Sequence, residues 1–138
     1  MHSFRHVTPV EVRFVDVDAF GHVNNAHFLT YAEQARFLYF EEILSDKINW
    51  KSEGLILASA KVDYIKPIFM HDKIKVYTKC CRFGTKSLDF EYELYNEKES
   101  KELKARMFTT LVAFNYLENC SITVPEEWKK TIEKFEGR

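Results

Sequence analysis

The spacing of apolar residues changes period along this chain, and the order of the changes outlines a fold. Val10, Val12 and Phe14 alternate with Glu11, Arg13 and Val15, which predicts an opening strand with one apolar face. The polar stretch 16–25 follows, with Gly21 as a loop former and Asn24 or Asn25 as a helix N-cap. The period then turns helical, because Phe28, Tyr31, Ala32, Ala35, Tyr39 and Ile43 recur at steps of three and four. Leu29, Phe37, Phe40 and Leu44 widen that arc and leave Thr30, Gln34 and Glu41 as a narrow polar strip. A helix apolar around so much of its circumference is expected to be buried. Glu33 and Arg36, three residues apart, interrupt the arc and can pair.

Four strand-like segments come next, at 55–65, 73–82, 86–96 and 101–116. Alternation is plain in Ile74, Val76, Thr78 and Cys80, and again in Leu88, Phe90, Tyr92 and Leu94. Leu103, Ala105, Met107, Thr109, Leu111 and Ala113 extend it through the last segment. The connections at 83–85 and 97–100 are of hairpin length, so consecutive hairpins forming an antiparallel sheet are expected. Pro125 opens a short terminal helix whose Trp128, Ile132 and Phe135 form one apolar stripe. The order predicts an α+β fold: a long buried helix wrapped by a five-stranded antiparallel sheet, with a short C-terminal helix.

Composition narrows the class without changing this outline. A chain of 138 residues, 46% hydrophobic and 15% aromatic, has material for one core, so a single domain over residues 1–138 is expected. Four Gly and three Pro exclude collagen-like repeats and Pro-rich linkers. Twenty basic against twenty-one acidic residues give no electrostatic reason to bind nucleic acid or an anionic membrane. No apolar run reaches the roughly 20 residues of a membrane span, and the opening residues lack the apolar core of a secretion signal. The three cysteines include the adjacent pair Cys80 and Cys81, which suits neither a disulfide framework nor a C-x-x-C site. A reducing cytoplasm is the expected location.

Chemistry concentrates in the loop ahead of the long helix. Asp16, Asp18, Gly21, His22, Asn24 and Asn25 fall within ten residues, just where a helix N-terminus supplies free N–H groups and partial positive charge. Such N–H groups stabilise an oxyanion, and a nearby carboxylate serves as base or nucleophile, which together are the requirements of acyl transfer. Asn and Asp at this place are equally the residues of ordinary helix capping, and Asn24 is expected to cap. Asp16 is expected to bind a backbone amide or Arg13. Asp16, Asp18 and His22 are metal-ligand types, but no second cluster completes a shell, so neither a metal nor a cofactor is expected. His27 and His71 lack any partner pattern and read as surface or turn residues. The hairpin at 82–87, with Arg82, Gly84, Thr85, Lys86 and Ser87, combines cations with turn N–H groups that suit phosphates, and Lys61 and Lys66 add charge nearby. A solvated basic turn would have the same composition.

The run from Arg13 through Asp16, Asp18, Gly21 and His22-Val23-Asn24-Asn25, followed by Tyr31-Ala32-Glu33-Gln34-Ala35-Arg36, resembles the 4-hydroxybenzoyl-CoA thioesterase family of hotdog-fold proteins. The segments 62–67 and 84–94 are similar to that family's second strand and third hairpin. The resemblance implies hydrolysis of acyl-CoA thioesters, with Asp18 as the catalytic carboxylate and the backbone N–H at Asn25 as oxyanion donor. It makes His22 a second catalytic candidate and leaves Asn24, Gly84, Thr85, Lys86 and Ser87 as the substrate-binding set. Plant acyl-carrier-protein thioesterases share the D-x-x-x-H-V-N-N arrangement, but the asparagine they carry two residues after the aspartate is Phe20 here. Other hotdog branches place the catalytic acid on the helix, where Glu33 stands. Hotdog proteins pair sheet edges, which implies a homodimer at least and a homotetramer as the final state. An acyl-carrier-protein thioesterase and a non-catalytic acyl-CoA-binding module are the alternatives, while the histidine–acid pattern of a hotdog dehydratase is missing.

Overall fold

The structure, a computed structural model, describes residues 3–138. Six strands, β1 (His6–Val10), β2 (Glu53–Tyr64), β3 (Ile74–Phe83), β4 (Ser87–Glu97), β5 (Lys101–Asn115) and β6 (Cys120–Ser121), form one antiparallel sheet. Two helices, α1 (Asn25–Ile43) and α2 (Glu126–Glu136), pack against it. The alternation read in the sequence gives the sheet its inner face: Ile74, Val76, Cys80, Leu88, Phe90, Tyr92, Leu94, Met107, Leu111 and Ala113 are all buried. Against them α1 sets Phe28, Tyr31, Ala32, Ala35, Tyr39 and Phe40. Ala32 and Ala35 are completely buried and let the helix axis approach the strands closely, while Tyr39 and Phe40 meet Phe90 edge-on at 5.3 and 5.4 Å.

The helix is buried on one broad face only. Gln34, Phe37 and Glu41 point outward, and Phe37 is 53% exposed, so part of the wide apolar arc faces away from the core. The opening strand also differs from the expected one. It ends at Val10, Val12 is still buried, and Phe14 is 84% exposed within a single tight helical turn, Phe14–Asp16. The cause is Asp16, whose carboxylate takes the Arg13 N–H at 3.1 Å and curls the chain before the alternation can continue.

Of the five expected strands, β3, β4 and β5 alone are joined as consecutive hairpins. The strand order is β1-β3-β4-β5-β2, so β2 crosses the whole sheet to pair with β5 instead of its neighbour in sequence, β3. Fifteen-residue β5 can serve both sides, with Met107 opposite Val62 on one edge and Tyr92 on the other. The sixth strand, a two-residue addition beyond the expected five, turns the chain back along β5 toward α2. No helix among the described residues is long and apolar enough to cross a membrane.

Helix α2 is fastened by polar as well as apolar groups. Trp128 and Ile132 are buried, and the Trp128 indole donates to the Lys47 carbonyl at 3.0 Å. Glu136, buried at 1% exposure, accepts from the Tyr39 hydroxyl at 2.6 Å and from the Cys80 amide at 2.9 Å. Burial and the facing Glu136 carboxylate push the Tyr39 hydroxyl far above its ordinary value, so it donates throughout the physiological range. Tyr39→Phe is expected to cost about 1.5–3 kcal/mol in a urea unfolding curve, because it removes a hydrogen bond to a buried charge.

Candidate active site

The loop between β1 and α1 is built on Asp16. Its side chain is fully buried and gathers Arg13 Nη2 at 2.9 Å, the Tyr31 hydroxyl at 2.7 Å and the Arg13 N–H. Burial pushes this carboxyl up, but Arg13 and Tyr31 outweigh it and hold Asp16 below the usual carboxylate range. Burial first, and then the hydrogen bond to Asp16, raises the Tyr31 hydroxyl above its ordinary value, with Arg13 acting against them. His27, which reads from its neighbours as a surface residue, has Nδ1 buried 3.6 Å from Asp16 Oδ1. The Asp16 carbonyl accepts the Asn24 N–H at 2.9 Å and so returns the chain to the helix start. Asp16 is fully occupied as a structural hub.

Asp18 lies two residues on, in a different setting. The chain folds into a small hairpin in which Asp18 N–H donates to the His22 carbonyl at 2.9 Å and Gly21 N–H to the Asp18 carbonyl at 3.1 Å. Gly21 turns it with φ near +90°, a conformation that L side chains rarely adopt. The Asp18 carboxylate accepts one N–H, from Phe20 at 2.9 Å, and keeps its second oxygen clear of any ion pair or hydrogen bond among the described residues. His22 Nδ1 stands 3.8 Å from Asp18 Oδ1. The imidazole has two ring neighbours, Phe20 stacked at 6.4 Å and Phe69 edge-on at 6.3 Å.

Asn24 caps α1, accepting the Ala26 N–H at 2.9 Å. Asn25 is the first helical residue, so its N–H has no acceptor within the helix. The Tyr64 hydroxyl, from the end of β2, donates to the Asn25 carbonyl at 3.1 Å, and its ring meets Phe28 edge-on at 4.9 Å. A cleft of about 190 Å³ opens here, lined by His22, Val23, Asn25, Phe28, Tyr64 and Pro67 among others. A larger cavity of about 750 Å³, between Val10, Val12, Met70, Ile74, Lys73 and Lys98, contains none of Asp18, His22 or Asn25.

The structure puts Asp18 beside His22 and His22 in one cleft with Asn25; Asp18 and the cap Asn24 are not among the residues that line that cleft, and the basic turn lies apart from them all. Gly84, Thr85, Lys86 and Ser87 follow the far end of β3, whereas the Asp18 loop docks on Ile68 and Phe69, just ahead of its near end. Ten residues of β3 put about 30 Å between them along the chain's own sheet. The turn is also engaged locally: Thr85 carbonyl accepts the Val124 N–H at 3.0 Å and Lys86 Nζ reaches Ser121 at 3.5 Å. Arg36 lies 4.0 Å from Glu33 but donates to the Tyr92 hydroxyl at 3.0 Å, so its closer partner is inside the sheet. Tyr31 and Tyr64 were hidden from sequence reading because each fits the apolar period of its own element, and Phe69 because it lies between β2 and β3 with no period around it; only tertiary contact shows their polar or flanking roles.

The model of the thioesterase-like superfamily matches residues 12–132. The chain belongs to that superfamily. Among its relatives is the uncharacterised Bacillus subtilis protein YsmA, 33% identical over 94 residues, which are 65% of this chain and 60% of YsmA. The chain therefore spans less than two thirds of that relative's length. The long-chain acyl-CoA thioesterase FadM of Escherichia coli is 22% identical over 131 residues, 93% of this chain and 97% of FadM. A solved Thermus thermophilus thioesterase, complexed with coenzyme A and zinc, superimposes with a TM-score of 0.86 at 33% identity, covering 100% of this chain and 98% of that one. The superfamily match covers both the Asp18 loop and α1, and the fold is the hotdog of its thioesterases.

Proposed function

We propose that this protein hydrolyses an acyl-CoA thioester to the free acid and coenzyme A at the mouth of α1. One observation supports this most: a carboxylate with a spare oxygen, Asp18, stands 3.8 Å from His22, which shares a cleft with Asn25, whose N–H has no acceptor among the described residues. The thioester carbonyl oxygen would accept the Asn25 N–H, where helix-end charge stabilises the developing oxyanion. Asp18 either removes a proton from the attacking water or attacks the carbonyl itself and forms an anhydride that water then opens. In both routes water supplies hydroxyl to the acyl group and hydrogen to the sulfur. The leaving thiol has a pKa of about 8.5, so it departs with little acid assistance. With Asp16 bound to Arg13 and Tyr31, the basic role falls to Asp18. His22, with Phe20 and Phe69 as ring neighbours, orients water or substrate beside it.

A second copy of the chain completes the reading. β2 is an edge strand with one side unpaired, and Ile56 and Leu57 on it are 40% and 44% exposed. The basic turn stands at the Glu53 end of β2, because Ser87 pairs with Val112 and Val112 with Ile56; the Asp18 loop stands at the Tyr64 end. Antiparallel pairing of two β2 edges sets the Glu53 end of one copy against the Tyr64 end of the other. The second copy's Gly84–Ser87 turn then approaches the first copy's cleft and can meet the coenzyme phosphates. A homodimer is the minimal unit of this scheme and a homotetramer its expected assembly.

The test is thiol release across aromatic, short-chain and long-chain acyl-CoAs and acyl-carrier-protein thioesters, beside sedimentation at micromolar concentration. At least one thioester is expected to give one thiol per acid, from a particle of two or four 16.4 kDa subunits. Binding without release from any thioester would make the protein a carrier module, and a stable, active single subunit would remove the shared site.

A further inference from the structure

β5 carries a lysine where the alternation of the strand breaks. Lys104 and Ala105 are buried in succession beside the register shift at Leu94/Tyr95, and Lys104 is 3% exposed. Its ammonium lies 2.7 Å from Glu102 Oε1, donates to the Pro67 carbonyl at 2.9 Å and stands 3.4 Å from Asp72 Oδ2. Those three partners match the three N–H donors of the group. It also sits 5.5 Å above the Phe69 ring. The Lys104 carbonyl takes the N–H groups of Ile65 and Lys66, at 2.9 and 3.0 Å. Asp72 closes the segment on itself by accepting the Phe69 N–H at 2.9 Å.

The other side of this segment, 65–72, is the floor of the candidate site. Ile68 carbonyl accepts the Val23 N–H at 2.8 Å, and His22 bridges to Phe69 in antiparallel fashion. Pro67 and Lys66 line the cleft with His22 and Asn25. A segment without secondary structure of its own is therefore held between one buried ammonium and the loop that carries Asp18. Burying an ammonium is expensive unless it is fully paired, so an apolar side chain would serve packing alone at less cost. What the ammonium adds is direction, because it fixes an inward-pointing carbonyl and a carboxylate at either end of the same segment.

We propose that Lys104 is a positioning residue for the active site: its ammonium clamps segment 65–72, and through Ile68 and Phe69 it sets the register of Val23 and His22 against Asp18 and the start of α1. This rests on the reading of Asp18 and the Asn25 N–H as the reacting groups. Lys104→Met keeps the unbranched stem of the side chain as far as Cε and removes the ammonium with its donors. The variant is expected to lose about tenfold in kcat with KM within threefold of wild type, because binding surfaces remain while the reacting groups drift. Amide exchange at Val23 is expected to quicken at least tenfold, while Met107, in the doubly paired middle of β5, keeps its protection. Val23 protection and kcat both within twofold of wild type, in a folded variant, would overturn the proposal. So would uniform loss of protection at Val23 and Met107, which marks general loosening. Where Lys104→Met does not fold, Asp72→Asn and Glu102→Gln weaken the same clamp from its partners and are expected to move the same two readouts by smaller factors. No change in either overturns the proposal. Wild-type protein that releases no thiol from any thioester would defeat the functional reading alone, and Val23 exchange would then decide whether the clamp exists.

Discussion

Asp18→Asn is expected to lower kcat for thiol release at least about a hundredfold while the thermal midpoint stays within about 3 °C. The two halves of this expectation have one structural origin. Asp18 gives the fold a single side-chain hydrogen bond, from the Phe20 N–H, and the asparagine oxygen can accept it equally well. The hairpin turned at Gly21 therefore survives, as does the place of His22. What disappears is basicity, and with it both routes of attack, since an amide neither removes a proton from water nor forms an anhydride. Steady-state kinetics on the best thioester, with a melting curve beside them, checks both halves. Retention of activity within a few-fold would move the chemistry to another acid, and Glu33, 73% exposed on α1, is the first to substitute.

Asp16→Ala is expected to act in the opposite way, destabilising the protein by about 3 kcal/mol and lowering activity as a consequence. The Tyr31 hydroxyl, buried at 2% exposure, would lose its acceptor, and the Arg13 N–H would lose the carboxylate that curls residues 13–16. Urea unfolding checks this, and Asp16→Asn, which keeps an acceptor for Tyr31, is expected to lose less. The carboxyl also shapes the acid limb of stability. Its folded-state pKa lies below the unfolded value, so its contribution is complete above about pH 4 and is lost as pH falls through the folded value. Asp16→Asn is therefore expected to show a shallower fall in stability below about pH 4 than the wild type. Equal slopes would mean that Arg13 and Tyr31 bind the carboxyl no better than water does.

Much of this architecture was legible in the order of residues, for reasons the structure makes concrete. Leu88, Phe90, Tyr92 and Leu94 alternate because β4 lies in the middle of the sheet with one face dry, and nothing local competes with that period. α1 was visible because its buried side repeats at helical spacing, and its start because Asn24 is a strong cap. Phe14 misled, since an apolar residue in step with Val10 and Val12 looks inward until the Asp16 carboxylate bends the chain. The partner of β2 was equally hidden: pairing with β5 depends on closure of the whole sheet, not on any turn beside β2. Within the site, residues 16–25 stood out because polar groups crowd a helix start. Tyr64 and Lys104 did not, because their roles depend on which backbone carbonyl the fold places opposite them. The separation of the basic turn from Asp18 is likewise a property of strand direction, not of composition.

The proposed pairing of β2 edges also bears on the life of the chain before it meets a second copy. On that proposal a newly made chain carries a twelve-residue strand with one side unpaired until a second copy meets it. In that interval any foreign strand can zip onto the same border, so folding yield becomes a race between specific docking and clumping. Slow synthesis, chaperone capture or local production of sister chains would each tilt that race, which makes expression level a determinant of quality as well as quantity.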